Sequence, residues 1–266
     1  LKLNIIRLLE NKNRHDNDDR ISFDEKEHEY FVDGEKLRFS VTGIIDKFFL
    51  EFDSGYWAKR KAIEKLTRDG VVLDEESLTE AINHIVNKWE EKRKDAAEKG
   101  TILHEKIEDF YNEKHHQEYP LEFSFFKKFH DKYPALTPYR TEWRIFDASI
   151  SIAGTVDMVY KKNNGELFIF DWKRSTKLVD QQGNLLLKDF SYGLEELSHV
   201  ADNSYNRYAL QQNIYKYILE SNYGAKVSSM NLLVLHPDYK DFVHLPIPEM
   251  QKEAKYLIKQ AIELSR

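Results

Sequence analysis

The stretch GTVDMVYKKNNGELFIFDWKRS, residues 154–175, constrains the fold of this chain more than any other. Two β-rich arms flank Asn163, Asn164 and Gly165. Each arm holds charge in an apolar setting: Asp157 in the first, Asp171 and Lys173 in the second. A carboxylate inside an apolar strand is costly unless something compensates it. The turn sets whether the two aspartates meet. A two-residue loop at Asn164–Gly165 would oppose Asp157 to Trp172 and send the aspartates to opposite faces, because a one-residue slip flips every side chain. A three-residue loop pairs Lys162 with Glu166 and opposes Asp157 to Asp171. Gly165 suits the left-handed position of that longer hairpin, and a bulge beside the site would serve the same end. One of these two is expected.

On the second arm, alternation puts Asp171 and Lys173 on one face and Phe168, Phe170 and Trp172 on the other. Opposed aspartates repel each other, and burial aggravates this. A divalent cation resolves both problems, and oxygen ligands with water suit Mg²⁺ or Mn²⁺. Lys173 then either handles a bound water or stabilises charge developing on a phosphate. The plain alternative is a same-face ion pair on a half-exposed strand, with Asp157 and Asp171 on opposite faces.

Other segments add candidates. In AAEKGTILHEKIEDFYN, His104 and Glu108 share a helical face. Gly100 costs ~1 kcal/mol relative to Ala inside a helix, which a close approach by another backbone would explain. Glu142, in TEWRIF, is expected to point into the same site, with Trp143 and Ile145 facing away. In ALQQNIYKY, Gln211 and Tyr215 share a face. Arg174 and Tyr215 are candidates for phosphate contact.

The rest of the pattern predicts an α+β (mixed α/β) chain. Residues 1–20 read as a short amphipathic segment followed by a polar surface loop. FVDGEKLRF is a hairpin around Asp-Gly. Thr42 is a candidate N-cap in SVTGIIDKFF. Helices are predicted over 55–69, 77–112, 121–132 and 204–222, with a last one from Pro248. Residues 139–175 read as a three-stranded meander, residues 176–200 as irregular, and MNLLVLH and FVHLPI as two further strands. The lysines at 88, 92, 94 and 99 read as a solvated face.

Composition narrows the chemistry. The chain has 266 residues and a net charge of −6, which argues against coating nucleic acid non-specifically. It has no cysteine, so thiolate metal sites, disulfides and Cys nucleophiles are excluded. No apolar run is long enough to span a membrane, and no signal-peptide pattern stands at the start. A cytoplasmic protein without membrane partners is expected.

These motifs, in this order, resemble the RecB-like branch of the PD-(D/E)XK nuclease superfamily: Gly100 to His104, Glu142, Gly154 to Asp157, Asp171 to Lys173, and Gln211 to Tyr215. GTVDMV followed by DWKRS, and SVTGII upstream, look similar to mitochondrial genome-maintenance, phage and bacterial exonucleases. The resemblance implies a restriction-endonuclease-like core, a central mixed sheet flanked by helices, with an N-terminal helical region. It implies one nuclease domain over 1–266, with a hairpin and helical arch region at 21–135 and a catalytic sheet core at 136–266. The arch would carry Lys59, Arg60 and Lys61 near a single strand. It implies metal held by Asp157, Asp171 and the Trp172 carbonyl, with His104 as a further ligand or neighbour. Lys173 would be catalytic together with Asp157, Asp171 and Glu142, and Gln211 and Tyr215 would support the site and contact the DNA backbone. Roles in DNA repair and recombination are implied too. No P-loop is present, so a helicase or recombination protein would open a duplex, or the substrate already offers an end or single strand. The expected activity is exonucleolytic hydrolysis of DNA phosphodiesters by metal-activated water. The alternatives are a restriction-type endonuclease on the same core and a degenerate nucleic-acid-binding module.

Overall fold

A computed structural model describes residues 8–187 and 191–265. Part of the expected N-terminal amphipathic segment, and three residues of the irregular 176–200 stretch, lie outside the described residues. In chain order the elements are α1 (Leu8–Lys12), β1 (Ile21–Asp24), β2 (Glu29–Val32), β3 (Glu35–Lys36), β4 (Phe39–Ser40), α2 (Val41–Asp46), α3 (Ser54–Arg68) and α4 (Glu75–Tyr111). Then follow α5 (Leu121–Lys132), β5 (Thr137–Asp147), β6 (Ile152–Lys161), β7 (Leu167–Lys173), α6 (Ser204–Asn222), β8 (Val227–Val234), β9 (Val243–Pro246) and α7 (Gln251–Leu264). The chain forms two compact units, residues 51–102 and the remainder. This is the expected mixed α+β class.

The larger unit is built on a mixed sheet in the order β4-β6-β7-β8-β9, with β5 paired to β6 as well. The β4–β6 and β7–β8 pairs are parallel and the others antiparallel. β5 runs along one edge of β6 from Thr137↔Lys161 to Asp147↔Ile152. The opposite edge is shared. β4 takes Ile152 and Ala153, and β7 takes Met158 to Lys161. Gly154 to Asp157 therefore face a gap between two strands.

The turn between β6 and β7 has the three-residue form. Lys162 N donates to Glu166 O at 2.8 Å and Gly165 N to Lys162 O at 2.9 Å, and Gly165 has φ 86°. Pairing runs Lys161↔Leu167 to Met158↔Phe170, so the next step along this register is Asp157 opposite Asp171. Alternation on β7 holds: Leu167 and Ile169 join one core, and Phe170 and Trp172 join the other. The first core lies under α6 and α7. The second packs Phe123, Phe126 and Phe129 of α5, with Leu103 and Ile107 of α4, against the sheet. Gln212 Nε2 donates to Asn231 O at 2.8 Å and its Oε1 accepts from Asn231 N at 3.0 Å, locking α6 to β8 inside the first core.

The β1–β3 meander turns at Asp33 and Gly34, both left-handed, as the Asp-Gly hairpin requires. Two expectations need correction. The N-cap of α2 is Ser40, whose Oγ accepts from Gly43 N at 3.0 Å; Thr42 lies inside the helix and accepts from Gln211 instead. The polar run 11–20 is not all surface loop. The Asp18 side chain is covered, accepting from Arg140 Nη1 at 2.7 Å, Trp143 Nε1 at 3.0 Å and His15 N at 2.8 Å. An arginine inside β5 cannot be buried without such a partner, and the run supplies it.

Glycine serves different ends at two motif positions. A Cβ on Gly154 would lie 2.5 Å from Tyr215 Cε1, so this glycine lets α6 approach the sheet. A Cβ on Gly100 would meet nothing within 4 Å, so close backbone approach does not explain that residue. Gly154→Ala is expected to lower stability by about 1–3 kcal/mol through overpacking. Gly100→Ala should instead be neutral or stabilising by up to ~1 kcal/mol. Urea denaturation of the two variants checks the contrast, which would vanish if Tyr215 moved aside freely.

Candidate active site

The gap on β6 gathers the charged residues. Asp157 stands at its end, where the β6–β7 ladder stops, and its Oδ2 accepts from Trp172 N at 2.9 Å. The side chain thus replaces the missing strand partner. Opposite it on β5, Glu142 forms no bridge and adopts φ 44°. A left-handed glutamate is costly and marks a local distortion at the step where the carboxylates gather. Trp143 and Ile145 face away into the α6–α7 core, as alternation requires.

His104 reaches the same place from α4. Its Nε2 donates to Trp172 O at 3.0 Å. Its Nδ1 lies 3.6 Å from both Glu142 Oε1 and Asp157 Oδ2. Glu108, four residues on, is not part of this group. From β7, Lys173 Nζ lies 2.5 Å from Asp171 Oδ2 and 4.5 Å from the centre of the Tyr208 ring. That ammonium is the cation nearest to the buried Oδ2.

The electrostatics follow from burial. Asp157 is 9% exposed and Asp171 is 4% exposed. Burial and the Asp157 charge push Asp171 up to about 7, against the pull of Lys173. Burial also raises Asp157, against His104 and Lys173. For Lys173, burial disfavours the charge, but Asp171 and Asp157 outweigh it and keep the ammonium protonated. Burial likewise opposes charge on His104, yet Asp157 and Glu142 hold its pKa up at about 9. Two protein cations therefore balance the carboxylates when no metal is bound.

The donor set fits a divalent ion. Ligand atoms of His104, Glu142 and Asp157 lie within 4.8 Å of one another. Ligands about 2.1 Å from a common ion stand roughly 3–4 Å apart, a spacing His104 Nδ1 already has to Glu142 Oε1 and Asp157 Oδ2, each at 3.6 Å. Asp171 is paired with Lys173 nearby. The Trp172 carbonyl also points here, but it accepts from His104. A second group, Glu105, Asp109 and His116, is spatially similar. There Asp109 is already satisfied by Lys114 at 2.9 Å and His116 at 2.8 Å, so it reads as a structural ion-pair network.

The three expected DNA contacts have protein partners or cover of their own. Arg174 is paired with Glu122, and both side chains are largely buried, so its guanidinium is already consumed. Tyr215 is 4% exposed and lies under Gly154, a supporting position below the sheet. Gln211 Nε2 donates to Thr42 Oγ1 at 3.2 Å, tying α6 to α2. Conversely, Tyr208 and the Tyr30 hydroxyl, which shares a hydrogen bond of 3.0 Å with Thr155 Oγ1, border the site unexpectedly. Tyr208 lies one helical turn before Gln211, a spacing that places it over the same strand. Tyr30 comes from a distant hairpin and had no local signal.

The sequence matches the family model of the PD-(D/E)XK nuclease superfamily over residues 61–264, and the chain belongs to that superfamily. Its mixed sheet flanked by helices is a restriction-endonuclease-like core. Comparison with curated proteins gives no match. Among solved structures, one titled "Crystal structure of SSO0001" aligns at 16% identity with a TM-score of 0.29, over 55% of this chain and 58% of that chain. No described helix is long and apolar enough to cross a membrane.

The His104 pKa makes metal-free stability depend on pH. Its rise from 6.5 to about 9 contributes stability that is full below 6.5 and is lost as pH climbs through 9. The size is about 3 kcal/mol at most. The Asp171 shift costs stability over a separate window, from 3.8 to about 7. In EDTA, the urea midpoint should fall between pH 6.5 and 9, and His104→Gln should flatten that fall. An equally steep fall in the variant would show that His104 does not carry the charge.

Proposed function

We propose that this chain is a Mg²⁺- or Mn²⁺-dependent deoxyribonuclease that acts as an exonuclease on DNA ends or single strands. The observation that carries the reading is the group of His104, Glu142 and Asp157 beside the Asp171–Lys173 pair at the open edge of β6. Asp157 and Asp171 hold the metal, with His104, Glu142 and the Trp172 carbonyl completing or flanking it. The ion, when bound, supplies Lewis-acid activation of the phosphodiester and of the attacking water. His104 would ligate such an ion only as the neutral imidazole. Lys173, which neutralises Asp171 in the metal-free protein, would orient the water or stabilise charge on the phosphate. Tyr215 and Gln211 hold α6 against the sheet beneath these groups.

Within this reading, 1–266 is one nuclease domain, with the catalytic sheet core at 136–266 and the hairpin and helical region at 21–135 guiding the strand. A helicase or recombination protein, in a repair or recombination setting, supplies ends or single strands. The cytoplasm is a compatible location for a chain without cysteine.

The test is digestion of end-labelled linear and circular DNA, single- and double-stranded, with Mg²⁺, Mn²⁺ or EDTA. Linear substrates should be degraded from their ends only with metal, and Lys173→Ala should slow this at least about a hundredfold. Cleavage of closed circles would favour the endonuclease alternative. Digestion by Lys173→Ala at the parent rate would remove the proposed mechanism.

A further inference from the structure

Substrate binding needs positive charge at the gap, and most nearby arginines are already spent. In the larger unit, Arg14 pairs with Asp19, Arg20 with Asp33, Arg140 with Asp18, Arg174 with Glu122, and Arg207 with Asp202 and Asp46. Arg38 donates to Leu264 O. Among the described arginines of this unit, Arg144 alone has no carboxylate or carbonyl partner. Its guanidinium lies only against the Phe23 ring, 5.7 Å from the ring centre.

Arg144 is also well placed. It follows Glu142 by two residues on β5, so it shares that residue's side of the strand about 7 Å along. Its neighbour on that edge is Thr155, which it faces in register, and Thr155 Oγ1 bonds the Tyr30 hydroxyl. The Tyr30 hydroxyl feels the charges of Arg144, Glu142 and Asp157 together. Arg144 and Glu142 line one small cavity of about 30 Å³ with Asp18, Arg140, Ile21 and Glu10. A partly exposed guanidinium with its donors unused, beside an acidic group built for metal, suits an anion rather than another carboxylate of the fold.

We infer that Arg144 binds a backbone phosphate of the DNA next to the one undergoing hydrolysis, taking the part that Arg174 gives up to Glu122. The inference rests on the nuclease reading above. The planar fork of arginine allows two parallel charge-assisted bonds to one phosphate. The Phe23 ring supports the guanidinium from one side.

The test measures binding of a fluorescein-labelled oligonucleotide by anisotropy in Mg²⁺, using Lys173→Ala protein so that turnover does not interfere. Adding Arg144→Ala should weaken binding roughly ten- to a hundredfold. It should also flatten the plot of log affinity against log salt by about one phosphate contact, a slope change of roughly 0.7–0.9. Arg144→Lys should keep the salt slope and recover part of the affinity. Unchanged affinity, or weaker binding with an unchanged slope, would overturn the assignment, the latter indicating a purely structural role. Either result leaves metal-dependent hydrolysis by the parent intact. A parent with no such hydrolysis would instead sink the nuclease reading, and this assignment with it.

Discussion

The open edge of β6 is the constraint on which the site depends. A strand has two hydrogen-bonding edges, and β5 occupies one throughout. On the other, pairing with β4 stops at Ala153 and pairing with β7 starts at Met158. The four residues between would leave backbone groups unpaired at a buried position, which is costly. Part of the answer is a side chain: Asp157 accepts the Trp172 N–H where a carbonyl would otherwise stand. The same vacancy brings Glu142, His104 and Asp157 together. The gap in the sheet and the charged group are one feature.

Charge at such a place has to be balanced internally when no ligand is bound. His104 and Lys173 do this, the first against Asp157 and Glu142, the second against Asp171. Both contacts are reversible in a way that backbone pairing is not. The imidazole can lose a proton, and the lysine has a second support in the Tyr208 ring. Sites of this kind give up stability for a prepared set of ligands. The surrounding core compensates with aromatic packing around Phe126, Phe129 and Trp172.

Much of the architecture was legible in the residues. The long helices carried the 3.6-residue period, the Asp-Gly and Asn-Asn-Gly turns had a determined chemistry, and the five motifs named candidates that the structure gathers in part. The misreadings share a cause: local pattern says nothing about distant partners. Thr42 looked like a cap, but Ser40 is the cap and Thr42 meets Gln211, 169 residues away. Asp18 looked solvated, but Arg140 needs it. The partner of Arg174 was equally invisible: Glu122 of α5 pairs with it. Arg144 was overlooked because an arginine on a strand is unremarkable until the pairing of all the others is known.

By itself the sequence narrowed the register of the central hairpin to a few forms, since Gly165 admits a left-handed turn and strand alternation with a period of two made the loop length decisive. It determined too which residues could ligate a metal, because no thiol was available and the acids sat in apolar strands. Only the tertiary structure decided which charges stay available. That outcome depends on pairs such as Arg140 with Asp18, brought together across 122 residues. Ion pairing between distant segments is set by the packing of the whole sheet, and no local pattern encodes it.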